Sequence, residues 1–572
     1  SITTSKLADG SVTNNKIAEG AITQDKLSIS LLTEIKGEKK LANSATGFKA
    51  FIGGGDNNTA SASYSSIIGG QTNTVTGAHS VSAGGLTNNV SSSHSVISGG
   101  SNNTVTAQYG TIGGGYSQSV GASSGAVAGG YNNTISSGGT YGAIGGGKDN
   151  TVSGTTATVS GGTTNTSSGQ ASSIGGGSSN AASGQNSTIG GGISNSASAI
   201  STTIGGGNTN SVAATHGTVS GGFSNAINSS GNYATIAGGN DNSASGVNSV
   251  IGGGTVNNNS GQNATISGGT TNLASATAAS IGGGNSNNIA GGYGTIAGGN
   301  NNTVTAAATY GTVGGGNNNS VTIVNATVSG GAFNTASGNY STVGGGSDNI
   351  ANAQYSTASG GASNVVSGVN GTISGGNSNS MQSLSGTIGG GQENTILNTS
   401  NYSIIGGGRS NYSSGLNNFI GGGNTNRTTG NYSSIGAGER NTVDGNYSFI
   451  GAGLQNKITG NFSTVGGGYI HYITSDSGTI GGGSRDTITG RASTIGGGTD
   501  NLITGIFSTI GGGVLNDVLV SDSATIGGGA RNLITTASHA STIGGGDLNT
   551  VTTTSLYGTI GGGEQNLLNN TD

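Results

Sequence analysis

The side chains able to do chemistry in this sequence are few: five histidines, 20 carboxylates, 15 lysines and arginines and 17 tyrosines, with no cysteine. His79 and His94 stand fifteen residues apart, and imidazoles brought side by side could gather around an anion or a metal ion. No carboxylate accompanies them, so packing is the simpler reading. Gly145, Gly146 and Gly147 precede Lys148 as in a phosphate-cradling loop, but Asp149 follows where that loop needs Ser or Thr. The acidic residues are scattered, which assembles no paired-carboxylate hydrolase site. Calcium-binding nonapeptides would need an aspartate in each glycine turn, where this chain carries asparagine. The expectation is no enzyme, no catalytic residue, no cofactor and no metal site. What remains is contact chemistry: Tyr432, Tyr447, Phe462, Tyr469, His471 and Tyr472 are the candidate surface contacts. His471 lies in the densest aromatic and aliphatic cluster, Tyr469 to Ile473.

What must position these residues is a repeat. The phrase small-x-[Ile/Val]-[Gly/Ser/Ala]-Gly-Gly-x-x-Asn occurs 34 times between Ala50 and Asn566, as in Ser187 to Asn195. Between the last glycines of successive copies, 26 of the 33 intervals are 15 residues, six are 17 and one is 16. Such a short strict period means one solenoid coil per repeat. Three residues before the last glycine stands Ile or Val in 32 copies, and five residues after it stands an apolar residue in 30. These read as two short strands per coil whose inward side chains stack in two parallel ladders. With strands about 4.8 Å apart, 34 coils predict a rod of roughly 160 Å.

Gly190, Gly191, Gly192 and Asn195 exemplify the structural turn between the strands. The glycine pair is expected where a β-carbon would clash. The asparagine, present in 31 copies, is expected to tolerate left-handed backbone and to ladder with its neighbours. The extra residues of the 17-residue coils fall in the turn before the Ile/Val strand, and being two they preserve which way the strand residues face. Tyrosine, histidine or phenylalanine often stands six residues before the last glycine, as at Tyr64, His79, Tyr432, Tyr447 and Phe462. Alternation from the inward Ile/Val turns that column outward. It could stack on sugar rings of a surface glycan, or simply on itself from coil to coil.

Glycine at 122 residues and charged residues at 6% would suit a disordered linker, but aliphatic columns held over hundreds of residues exclude one. Zero proline excludes collagen. A net charge of −5, and no Lys or Arg from 149 to 408, argue against nucleic acid as a partner. No apolar stretch is long enough to span a bilayer and the N-terminus shows no signal-peptide core, so membrane insertion is not expected. One or two aliphatics per coil make a thin core set against the entropy of ordering fifteen residues. Sister chains hiding further apolar area would help, which favours an oligomer.

Asn-Ser-Thr-Ile-Gly-Gly-Gly-x-x-Asn at this period resembles the head repeats of trimeric autotransporter adhesins. That resemblance covers residues 50 to 568 and implies a left-handed parallel β-roll of three chains about an axis. The glycine-rich turn departs from that family's pattern, as does the lack of a secretion signal and a membrane anchor. Residues 1 to 28 carry a second, ten-residue pattern, [Ile/Val]-Thr-x-x-Lys-[Ile/Leu]-[Ala/Ser]-x-Gly. It is similar to shaft segments of phage tail fibres and related virion fibres.

The expected fold is all-β: a parallel β-solenoid of 15-residue coils, trimeric, behind a short fibrous shaft. The expected domains are a shaft or attachment segment (1–28), a neck (29–49) and a solenoid (50–572). Residues 392–572 form a more charged, distal region. The expected function is a structural tail or virion fibre mediating adhesion to a host surface. Its partners would be itself, a particle or baseplate protein through the N-terminal segment, and a host glycan or protein receptor; its place would be the virion or the extracellular cell surface. The alternatives are a bacterial cell-surface adhesin or extracellular filament subunit and, remotely, an ice-binding solenoid built on the threonines before the Ile/Val column, such as Thr111, Thr188 and Thr372.

Overall fold

Branched aliphatics and threonines recur at two places in each coil, and at both places the backbone forms a two-residue extended strand, as β-branched side chains favour. The computed structural model describes residues 42–552 and 555–569. The ten-residue pattern of 1–28 and the first part of the neck lie outside the described residues. Among those described there is no helix, hence none long and apolar enough to cross a membrane. The chain divides between Asn240 and Asp241 into two compact units, each a parallel β-solenoid. The stack already begins at Asn43 and Ser44, inside the segment expected to be neck, where Ser44–Ala45 pairs with Thr59–Ala60.

In the first unit, Thr188–Ile189 pairs in parallel with Ser173–Ile174 on one side and Thr203–Ile204 on the other. Ser196–Ala197 pairs in the same way with Ala181–Ala182 and Ser211–Val212. Ile193, just past the glycines, makes a third line of bridges with Ser178 and Asn208. The second unit repeats the arrangement, with Thr479–Ile480 between Thr464–Val465 and Thr494–Ile495. One residue of each strand points inward. Ile189, Ala197, Ile204 and Val212 are all fully buried, so a single chain closes both aliphatic columns. An uncovered core therefore gives no support to the trimer.

Between the two strands the rung is held by asparagine. Asn195 is buried, and its Nδ2 donates to the carbonyls of Gly191 and Gly207, each at 3.0 Å. Its Oδ1 accepts the backbone N–H of Asn210 at 3.0 Å, while its own N–H donates to Asn180 Oδ1 at 3.0 Å. Each amide thus ties three successive coils and satisfies backbone groups that a turn would otherwise strand. The left-handed residue is not the asparagine, as the sequence reading expected, but the one before it: Ser194 has φ 55°. The asparagine is selected for its amide alone.

The glycines also divide their roles. Gly192 has φ 92°, and a β-carbon on it would stand 2.0 Å from the Gly207 carbonyl oxygen and 2.7 Å from Asn195 Nδ2. Gly191 faces open space, which corrects the expectation that both members of the pair exclude a side chain. Ala437 and Ala452 already occupy the equivalent of Gly191. In the longer coil ending at Gly147, the additional residues form two successive tight turns, Gly139 N–H to Ser136 and Gly142 N–H to Gly139, each at 2.8 Å. Ala143–Ile144 then pairs in register on both sides.

Gly191→Ala is expected to shift stability by no more than about 0.5 kcal/mol. Gly192→Ala and Asn195→Leu each leave clashing or unpaired backbone groups and should cost about 3 kcal/mol or more. Amide hydrogen exchange in the coils around residues 180–210 reads the difference, and equal loss of protection in both glycine variants would contradict the division of roles.

Candidate functional site

The outward column six residues before the turn glycine sits in a turn, not a strand. Tyr432, Tyr447 and Phe462 have φ 55°, 54° and 55°, a left-handed conformation that costs bulky residues about 1 kcal/mol or more. Backbone N–H groups bind each to the coil before it: Tyr447 to the Asn431 carbonyl and Phe462 to that of Asn446, both at 2.9 Å. In-register coils then place like rings one rung apart. Tyr432 and Tyr447 lie 4.9 Å apart at 1°, and Tyr447 and Phe462 5.2 Å apart at 4°. All three are at least half exposed. Inside the run their faces cover one another, however, so a sugar could stack only on the outer faces of Tyr432 and Phe462.

His79 and His94 belong to the same column. Tyr64, His79, His94 and Tyr109 form one continuous stack with spacings of 4.7, 5.2 and 5.2 Å. Among the described residues no group of three His, Asp or Glu could hold a metal ion. The pair is placed as packing.

The Tyr469 to Ile473 cluster does not form a single patch. Tyr469 and Tyr472 are exposed on different lines of the coil, with Lys457 Nζ 5.5 Å from the Tyr472 ring centre. His471 is 1% exposed and Ile473 fully buried. His471 is thus corrected from surface contact to interior rung, because it occupies the asparagine position. The column two residues beyond the tyrosines supplies surface that sequence reasoning passed over. There Ile404, Phe419 and Phe449 are exposed in strands Ile404–Ile405, Phe419–Ile420 and Phe449–Ile450, next to Tyr402, Tyr432 and Tyr447. The same column holds Thr295, Thr312, Thr327, Thr342, Thr357, Thr372 and Thr387 in consecutive coils. Exposed Tyr293, Tyr310, Tyr340 and Tyr355 stand two residues before threonines of that ladder.

The three exceptions to the asparagine rung follow one rule. Gln118 Oε1, His471 Nδ1 and Asp486 Oδ1 each still accept the next coil's backbone N–H, at 3.0, 3.2 and 3.0 Å. The other polar atom of each, Gln118 Nε2, His471 Nε2 and Asp486 Oδ2, is buried without a hydrogen-bond partner. The acceptor half of the rung is kept and the donor half lost. His471 and Asp486 are successive rungs, fully buried, with Nδ1 3.5 Å from Oδ2. Burial pushes the Asp486 carboxyl up, against hydrogen bonds from Asn501 and the nearby imidazole that lower it. Burial lowers His471, against the nearby Asp486 carboxylate, which raises it. Their fifteen-residue separation was a signal that could have paired them.

Three arginines toward the C-terminus, Arg427, Arg485 and Arg531, pair with an aspartate one coil on. Arg485 grips Asp500 through two bonds of 2.7 Å, and this bond and charge hold the Asp500 carboxyl low and the Arg485 guanidinium high. Arg427 and Asp444 pair at 3.1 Å. Such exposed pairs are screened by water and salt. No protein-family model matches this chain, and no curated protein matches it significantly.

Asp486 disfavours its charged form in the fold, so its stabilising contribution is complete below the unfolded pKa of 3.8 and is lost as pH rises through the raised value. His471 has the opposite sign: its contribution is complete above 6.5 and is lost as pH falls through the lowered value. Asp486→Asn restores the missing donor and should protect coils 456–501 increasingly over wild type as pH rises from 4 toward neutrality, measured by hydrogen exchange at matched pH. A wild-type advantage at neutral pH would refute this account of the rung.

Proposed function

We propose that this chain is the rigid contact part of a homotrimeric fibre, a phage tail or virion fibre that attaches a particle to a host surface. The observation that carries the proposal is the division within every coil. Inward positions are aliphatic, asparagine and glycine apart from a few buried polar residues such as Ser82, Ser167, Asn259, Ser413 and Thr428, while outward positions vary and present runs of stacked aromatic rings. A solenoid built this way offers many similar weak contacts, and avidity multiplies them by factors of about 10² to 10⁴ when they are engaged together. The resemblance of the coil to trimeric adhesin heads and of residues 1–28 to fibre shafts supports three chains and a particle-bound N-terminal segment. Seven of the 15 basic residues within the first 49 positions suit that docking end. A cell-surface adhesin or filament subunit draws on the same features and differs in where the chain is carried.

Purified virions probed with an antibody to residues 392–572 should carry this chain, and its native mass should be three times 54.3 kDa. A monomeric mass would overturn the trimer. Recovery on particle-free cell-surface filaments, with none on virions, would overturn the virion assignment in favour of the adhesin.

A further inference from the structure

Within a run of stacked rings no face is free, so the informative places are where the aromatic column is interrupted for a single coil. Three such interruptions occur among the described residues: Ser124 between Tyr109 and Tyr141, Asn325 between Tyr310 and Tyr340, and Asn417 between Tyr402 and Tyr432. All six flanking tyrosines are at least half exposed. We propose that these openings are slots that each take one pyranose ring of a surface glycan. The proposal rests on the adhesive reading above and gives it a ligand class.

The opening at Asn325 is the best defined. Tyr310 is backed by Tyr293 at 5.0 Å and 19°, and Tyr340 by Tyr355 at 5.1 Å and 19°. Each wall is therefore held in its stacked orientation from behind, which leaves its other face on the side of the Asn325 coil. Backbone bonds keep the three residues on consecutive rungs: Asn325 N–H donates to the Thr309 carbonyl at 3.0 Å and Tyr340 N–H to that of Val324 at 3.2 Å. Two rungs at the strand spacing leave about 10 Å between the ring planes. Face contact needs about 3.5–4.0 Å on each side, so a flat base sandwiched there would leave about 2–3 Å unfilled. A puckered saturated ring, with axial hydrogens standing off both sides of its mean plane, takes up that remainder. At the floor, the Asn325 amide presents a donor and an acceptor together, the complement of adjacent sugar hydroxyls.

Asn417 repeats the design, with Tyr432 backed by Tyr447. Its N–H donates to the Asn401 carbonyl at 2.9 Å and that of Tyr432 to Leu416 at 2.7 Å. Ser124 offers a hydroxyl floor in place of the amide. All three floor residues have left-handed φ, 55°, 56° and 54°, within a few degrees of the tyrosines in the same column. Filling the slots with tyrosine therefore asks nothing of the backbone that the chain does not already do.

The experiment is titration of the full-length chain with methyl glucopyranoside, methyl galactopyranoside and methyl mannopyranoside, with adenosine as the flat comparison, read by saturation-transfer NMR. At least one pyranoside should bind and adenosine should not. The triple variant Ser124→Tyr, Asn325→Tyr, Asn417→Tyr should lose at least tenfold in that affinity with unchanged circular dichroism. Pyranoside binding that survives in the filled variant, or preference for adenosine, overturns the slots. If the wild-type chain coats host cells while no pyranoside binds, the slots fall and the adhesive reading stands. Pyranoside binding without attachment to any cell surface does the reverse.

Discussion

A carbonyl oxygen that reaches within 2.0 Å of where a β-carbon on Gly192 would sit is the constraint from which the rest of each unit follows. It brings successive turns so close that only glycine fits, and it places that oxygen where the asparagine amide can receive it. The Asn195 side chain then joins coils 15 residues apart on both sides. With the turn fixed, the two-residue strands on either side can only stack in register. The exceptions mark which half of the rung is indispensable: Gln118, His471 and Asp486 all preserve the acceptor and abandon the donor. An unsatisfied backbone N–H inside the turn is evidently the worse defect, since no water reaches it.

In-register stacking has a second effect, on the outside. At least two non-glycine residues per coil adopt left-handed backbone, as at Ser194 and Ser201 in one coil and Tyr432 and Arg440 in another. That strain is offset by ladder bonds and, in the aromatic column, by ring stacking worth about 0.5–1.5 kcal/mol per pair. The exposed rings of this column are therefore also a structural brace. A run of rings braces, and a break in the run exposes faces. The longer turns ending at Gly316 and Gly408 carry Tyr310 and Tyr402 without disturbing the strands that follow them.

Much of this is legible in the sequence because column identity survives 34 repetitions. The parallel solenoid, the inward Ile189 and Val212 and the asparagine ladder all follow from period and side-chain type, whereas the parity of the insertions does not matter: the coil with one additional residue also keeps Ile526 inward and in register with Ile510. Periodicity says which way a residue faces but not what its backbone angle is. Hence the left-handed position falls on Ser194 and not Asn195, and Gly191 is free where Gly192 is not. His471 stood out by its aromatic neighbours, yet its burial is decided by its place in the coil, three residues past Gly468. Ring orientation is likewise invisible in a string of letters: that Tyr432 and Tyr447 hide their faces from each other needs coordinates.

Interchangeable coils have a consequence at the level of the gene. Any coil in a unit can follow any other, since the rung that joins them is the same on both sides. Misaligned recombination between repeats would therefore delete or duplicate 15-residue modules and leave a foldable protein, whereas a loss of seven or eight would throw every downstream glycine out of step. Length polymorphism in whole modules is the form of variation such a chain can accumulate. An event that falls at an aromatic break would also change how many such breaks the surface carries.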